Sequence, residues 1–197
     1  MVVAAAPVRR RSQRRWFMAV VPVAAGALAI GLVLTAGASG PPARRLAAFS
    51  LPRLGPAGAA TADPVRYPLV GSTAGRPVVL AFFASWCVLC RTDLPVVAKV
   101  ATAERQAGNA AVFLGIDGND PAAAGWAFAQ AKGVRFPVAS DQTEQVARQI
   151  GLTGLPDTVV VGPKGRVVEQ LSGVVTVAQL ERAVAAVAPD HAAVPGG

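Results

Sequence analysis

The run "PVVLAFF", residues 77–83, constrains this chain more than any other stretch. It is apolar at every position rather than at alternate ones, and the only two cysteines, Cys87 and Cys90, follow almost at once. A strand with one face in water alternates apolar and polar residues. An unbroken β-branched and aromatic run, bounded by Gly75 and Pro77, reads instead as a central strand covered on both faces. Beyond the cysteines, apolar residues recur at Leu94, Val97, Val100 and Ala101 with helical spacing. The cysteine pair therefore falls where a buried strand turns into a helix.

The same alternation continues. "AAVFLGID", residues 110–117, reads as a second buried strand, and Asp120 followed by Pro121 as an N-cap and first helical position opening a helix that ends near Gly133. "FPVAS" is a candidate short strand. Asp141 and Glu144 have capping-box spacing before "QVARQIG", with Gly151 as the stop. "DTVVVGPKGRVVEQLSG" reads as two strands joined by the turn "GPKG". Thr176 and Gln179 form another capping box, after which Val177, Leu180, Val184 and Val187 make one apolar stripe. A short strand is expected within residues 46–51. This order predicts an α/β fold with a central sheet covered on both faces.

Residues 16–38, "WFMAVVPVAAGALAIGLVLTAGA", carry no charge over 23 positions. As a helix the segment would extend about 34 Å, enough for a hydrocarbon core of about 30 Å. "RRRSQRR" precedes it directly, which predicts a cytoplasmic basic segment over 1–15 and places everything after residue 38 across the membrane. Trp16 and Phe17 sit where interfacial aromatics flank a membrane helix. The segment reads as an uncleaved single-pass transmembrane anchor, or as a cleaved signal for which "AGA" at 36–38 is a small-residue site and "RRWFM" resembles a twin-arginine motif. A buried core helix is the third reading. No cysteine near its end supports an acylated lipoprotein anchor. Residues 39–43 read as linker, 44–188 as the folded domain and 189–197, with the single histidine His191, as a flexible tail. The expected location is the cell membrane with the domain on the extracytoplasmic side, or secretion if the signal is removed.

The net charge of +8 raises the question of nucleic acid. Eight arginines and no acid lie at or before Arg53, whereas eleven bases face eleven acids after it. A neutral folded part gives phosphate no basic surface, so nucleic-acid binding is not expected.

Outside the cytosol a cysteine pair persists as a disulfide, and a structural staple is the plain reading. The spacing argues against it, because closing so short a loop removes little chain entropy. Thiol-disulfide exchange needs a thiolate, and Cys87 at the start of a helix would lie near unpaired N–H groups and the positive end of the helix dipole. Cys90, one turn on, is expected to be buried and placed to attack a mixed disulfide formed through Cys87.

The segment "FFASWCVLCRTDLP" resembles the active-site segment of the thioredoxin superfamily, in particular the membrane-anchored extracytoplasmic thioredoxins of the TlpA, ResA and CcmG (DsbE-like) type. The matching residues are Trp86, Cys87 and Cys90, with Pro95 at the proline that kinks the active-site helix. "GLTGLPDTVVVGPKGRV" resembles the second signature of the family, which makes Pro156 a cis-proline beside the cysteines, preceded by Leu155. The resemblance implies a thioredoxin-like fold with a mixed central sheet, a redox dithiol at Cys87 and Cys90, and substrate contact through Trp86, Leu155 and Pro156. A cis bond there would leave the backbone of Leu155 to pair with an extended substrate segment. Asp93 matches a carboxylate that in reducing members tunes the thiol pKa; the bland alternative is a solvated aspartate in the first helical turn.

Two departures are visible. The buried aspartate that cytosolic thioredoxins carry six residues before the first cysteine is Ala81 here, so proton transfer to Cys90 must use water or another carboxylate. The dipeptide Val88-Leu89 replaces the Gly-Pro of thioredoxin and offers no polar group to the thiolate. The implied activity is a thiol-disulfide oxidoreductase without cofactor, exchanging disulfides with cysteine-containing exported proteins, cytochrome c maturation among the family's tasks. A DsbD/CcdA-like membrane protein would be its electron-transfer partner. The alternative is a copper-binding thioredoxin-like metallochaperone holding Cu(I) on two thiolates, but Met1 and Met18 precede the domain and His191 lies in the tail, so further ligands are lacking. Trp126 is expected to pack in the core, and Asp117 and Asp120 to serve turn and cap roles.

Overall fold

A computed structural model describes residues 44–56, 61, 63–69, 74–109 and 111–187. The basic segment 1–15, the 16–38 anchor or signal, the 39–43 linker, the 189–197 tail and His191 lie outside the described residues. Among the described residues no helix is long and apolar enough to cross a membrane.

Among the described residues eleven elements follow in the order β1 (Phe49–Leu51), β2 (Val65–Tyr67), β3 (Val78–Phe83), α1 (Cys90–Gln106), β4 (Val112–Gly118), α2 (Ala122–Ala131), β5 (Val138–Asp141), α3 (Gln145–Ile150), β6 (Asp157–Val161), β7 (Val167–Ser172) and α4 (Val177–Ala185). Five strands form one mixed sheet ordered β5-β4-β3-β6-β7. β3, β4 and β5 are parallel, while β6 is antiparallel to β3 and β7 to β6. The α/β class and the mixed sheet flanked by helices are thus as read from the sequence.

The unbroken apolar run of β3 has its explanation in two cores. Val79, Ala81 and Phe83 point into a cluster with Leu94 and Val97 of α1, Ala129 of α2 and Leu180 and Val184 of α4. Val78, Leu80 and Phe82 point the other way, into a cluster with Val146 and Ile150 of α3 and Phe49, Leu51, Val65 and Tyr67 of the small sheet. Burying such side chains contributes about 1.5–3 kcal/mol each, so β3 is the hub of both layers. Trp126 is half-buried against the first cluster, the packing role expected of it.

The short strand expected within 46–51 is β1, and it pairs antiparallel with β2, a three-residue strand the sequence pattern does not announce. This lead-in reaches both edges of the large sheet. At one end the Val167 N–H of β7 donates to Arg44 O (2.8 Å) and the Leu46 N–H to Gly165 O (2.9 Å). At the other, Leu54 N–H donates to Val138 O (2.8 Å) and the Ser140 N–H of β5 to Pro52 O (2.9 Å). The Tyr67–Pro68 and Leu155–Pro156 bonds are both cis.

Helix starts divide into one expectation met and two corrected. Thr176 and Gln179 make the full reciprocal capping box at α4. Asp141 does cap α3, with its carboxylate accepting from the N–H groups of Gln145 (2.8 Å), Val146 (2.9 Å) and Ala147 (3.2 Å), but Glu144 takes no part in a box: at φ 52° it is left-handed and outside the helix. Asp120 is not the N-cap of α2. Pro121 occupies that position, and the Asp120 carboxylate is drawn off to Ser85.

Candidate active site

Cys87 and Cys90 lie at the carboxyl end of β3, where the chain enters α1, and they are joined by a disulfide with Cα atoms 5.3 Å apart. Helix α1 begins at Cys90, not at Cys87. Cys87 therefore stands one turn ahead of the first helical residue, and the Cys90 N–H donates to its sulfur at 3.1 Å. No side chain caps α1, so no side-chain acceptor competes with that sulfur for the first-turn amides. An N–H donor and the helix dipole both favour a sulfur anion at Cys87 over a neutral thiol.

Both cysteines are buried, Cys90 wholly at 0% exposure and Cys87 with 5% remaining, so of the two residues only Cys87 reaches the surface. Around it stand three exposed apolar side chains, Trp86, Val88 and Leu89. The Trp86 indole is pinned by its Nε1–H, which donates to Asn119 O at 3.1 Å.

Pro156 is cis and buried, and it enters β6 beside the end of β3, with Asp157 opposite Phe82. Trp86 and Leu155 both line a cavity of about 240 Å³ that runs on to Thr153, Gly154 and the α3 residue Ala147. The structure thus brings Trp86, Leu155 and Pro156 to the same end of the sheet as the dithiol.

Asp93 is not a solvated first-turn aspartate. It is 2% exposed, and its Oδ1 accepts from the Val175 N–H at 2.9 Å, tying α1 to the segment before α4. Burial pushes its carboxyl up to about 6, opposed by that hydrogen bond and reinforced by the charge of Asp157. Ala81, six residues before Cys87, is packed into the core.

Of three further carboxyls at this end of the sheet, Asp157 is not singled out by the sequence, and Asp117 and Asp120 depart from the turn and cap roles expected of them. Asp157 is buried and raised by desolvation, and Gln170 Nε2 and the Ser172 hydroxyl donate to its Oδ2 at 3.1 and 2.7 Å. Asp120 accepts from Ser85 N–H at 2.5 Å and from the Ser85 hydroxyl at 2.9 Å, two residues before Cys87. Asp117 is wholly buried, neither a turn nor a cap residue. The available signal was an aspartate ending the otherwise apolar "AAVFLGID", which a fully buried strand does not accommodate in a charged state. Among the described residues no group of three or more His, Cys, Asp or Glu side chains is arranged to hold a metal ion.

A model of the Redoxin family matches residues 38–185. The thiol-disulfide oxidoreductase ResA of Bacillus anthracis is 31% identical over 107 residues, covering 54% of this chain and 61% of that protein. ResA of Bacillus subtilis (strain 168) is 29% identical over 102 residues, covering 52% and 56%. The chain thus spans about three fifths of the length of these relatives. Among solved structures, that of MTB dsbF in its mixed oxidized and reduced forms has a TM-score of 0.58 at 29% identity, covering 71% of this chain and 94% of that one. StoA from Bacillus subtilis, at 17% identity and a TM-score of 0.56 over 71% of this chain and 98% of that one, shares the thioredoxin-like fold.

Proposed function

Because the chain belongs to the Redoxin family, in the TlpA/ResA/CcmG-like part of the thioredoxin superfamily, we propose that it is a thiol-disulfide oxidoreductase tethered outside the membrane and acting on exported proteins. The single observation that carries the reading is the Cys90 N–H directed at the Cys87 sulfur at the mouth of α1. In the reduced protein the Cys87 thiolate attacks one sulfur of a substrate disulfide, forming a mixed disulfide and expelling the other substrate sulfur as a thiolate. Cys90 then gives up its proton to water or a nearby carboxylate and attacks the Cys87 sulfur. The Cys87–Cys90 bond forms, the mixed disulfide breaks, and the second substrate thiolate leaves; two electrons have passed to the substrate. Run backwards, the same steps oxidise a substrate dithiol.

Trp86, Val88 and Leu89 supply the apolar landing surface, and the backbone at Leu155 and Pro156 accommodates an extended substrate strand. Asp93, with its raised affinity for a proton, is the carboxyl that tunes the dithiol. A DsbD/CcdA-like membrane protein would return the dithiol to its working state, and residues 16–38 would hold the domain at the membrane. Maturation of cytochrome c is one task in keeping with this scheme.

The test is a Cys90→Ala variant expressed in an exporting cell. It is expected to accumulate disulfide-linked adducts with exported proteins through Cys87, visible as reductant-sensitive bands, while Cys87→Ala accumulates none. Absence of adducts from Cys90→Ala sinks the reading.

A further inference from the structure

The pole of the sheet opposite the dithiol carries a cavity of about 470 Å³ that the sulfur chemistry does not use. It lies where the strands begin: Arg76 stands two residues before β3, Pro137 directly before β5, and Arg105 in the last turn of α1. Its apolar part includes the rings of Phe113 and Phe136, whose centroids are 5.9 Å apart. Three arginines, Arg76, Arg105 and Arg135, also line it, and among its described lining residues there is no carboxylate. Arg76 Nη2 donates to Asn109 O at 3.1 Å and Arg135 Nη1 to Val134 O at 3.0 Å, bonds to neutral carbonyls that fix each group without cancelling its charge. Glu104, next to Arg105 in the chain, accepts from Asn109 Nδ2 at 3.1 Å and does not line the cavity.

Guanidinium groups gathered at one opening call for an anion, and their planar forks suit the paired oxygens of a phosphate or carboxylate. An apolar floor of this size calls for something larger than an inorganic ion, with a hydrocarbon part to cover the two rings. The chemistry that fits is an amphipathic anion. Its source is indicated by where the described chain begins. Val112, Val78, Val161 and Val167 form one row across β4, β3, β6 and β7, and at the end of that row the Val167 N–H donates to Arg44 O. Arg44 therefore stands at the same pole as the cavity, and only residues 39–43 separate it in sequence from the segment read as a membrane anchor. The dithiol lies beyond the other end of β3.

We propose that this cavity seats the headgroup of an anionic phospholipid, so that the arginine-lined pole rests on the bilayer and the dithiol faces away from it, toward incoming proteins. Arg76, Arg105 and Arg135 take the phosphate, and the Phe113 and Phe136 rings take the glycerol and the first acyl carbons. A negative membrane surface attracts basic groups held within a Debye length of it, and a short tether keeps them there. The inference rests on the membrane-tethered part of the proposed function; it does not depend on the direction of electron flow.

The full chain in lipid nanodiscs tests this by hydrogen exchange. Exchange of the amides across 105–109 and 133–136 is expected to slow by at least about threefold when phosphatidylglycerol is added to phosphatidylcholine discs, and to return toward the neutral-disc rate as salt is raised. Arg105→Gln combined with Arg135→Gln, both exposed side chains, is expected to abolish the slowing. Alkylation of Cys87 in the reduced chain is expected to run at the same rate in both kinds of disc. Equal exchange in the two discs, or alkylation of Cys87 slowed at least about threefold by the anionic lipid, overturns the proposal without recourse to the variant. So does protection that survives the double substitution, or protection in neutral discs by glycerol 3-phosphate equal to that given by the lipid, which would make the cavity a site for a free organic phosphate. A chain that stays in neutral discs but shows no response to phosphatidylglycerol loses this inference and keeps the tether. One that does not enter neutral discs, yet is protected by phosphatidylglycerol vesicles, keeps the lipid site and loses the tether.

Discussion

A carboxyl that binds its proton more tightly when folded makes stability depend on pH in a fixed direction. Asp117 rises from 3.8 to about 8 on folding, so between those values the folded chain holds a proton that the unfolded chain has lost. Stability then falls as pH rises, by up to about 1.4 kcal/mol per pH unit for a fully expressed shift, and the penalty is complete above the folded midpoint. Asp117→Asn removes that slope: urea unfolding should find the variant more stable than the native chain at pH 8 and the two converging near pH 4. Asp93 adds a smaller loss of the same sign confined to the window from 3.8 to about 6. Cys87 and Cys90 were legible from their spacing at a strand-to-helix corner, whereas Trp86 and Pro156 were singled out only through the resemblance of their segments to the thioredoxin superfamily. The clamp of Asp120 on Ser85 was not, because it joins residues 35 apart and depends on how β4 and β3 lie side by side. Local spacing offered a cap; the tertiary contact offered two better donors.

At the level of elements, the helices show when a local signal survives folding. The box at Thr176 and Gln179 survives because both partners lie within one turn and nothing else claims them. Thr176→Ala should cost about 1 kcal/mol in urea unfolding and leave the reactivity of Cys87 unchanged. The box at Asp141 and Glu144 failed because the backbone at Glu144 turns left-handed, and Asp141 met the amides of α3 alone. α2 makes the sharper test. Alanine for glycine inside a helix ordinarily stabilises by about 1 kcal/mol. Gly125→Ala should destabilise this protein instead, because the new methyl would overlap the Asp117 carboxyl unless α2 moves off β4. A rise in the urea midpoint would show that α2 has room to spare there. The strands of the large sheet and the short β1 were read from the sequence, and β2 was missed: it has three residues and alternating burial, too little pattern to separate from a loop.

On the scale of the whole molecule, the order of elements gave both the α/β class and the layers. The membrane attachment proposed for residues 16–38 makes a separate prediction: the full chain should remain with the membrane fraction after an alkaline carbonate wash, and a chain lacking 1–38 should not. Soluble behaviour of the full chain under that wash would remove the tether from the proposed function. The lead-in that touches β7 at Arg44 and β5 at Pro52 and Leu54 also has a bearing on how copies of the protein treat one another. A sheet whose outermost strands offer free backbone groups invites a neighbour to zip on, and here one continuous stretch of chain claims part of both margins. Prised loose, it would open two sticky borders at once, so fidelity as a solitary particle depends on a strap that contributes nothing to the sulfur chemistry.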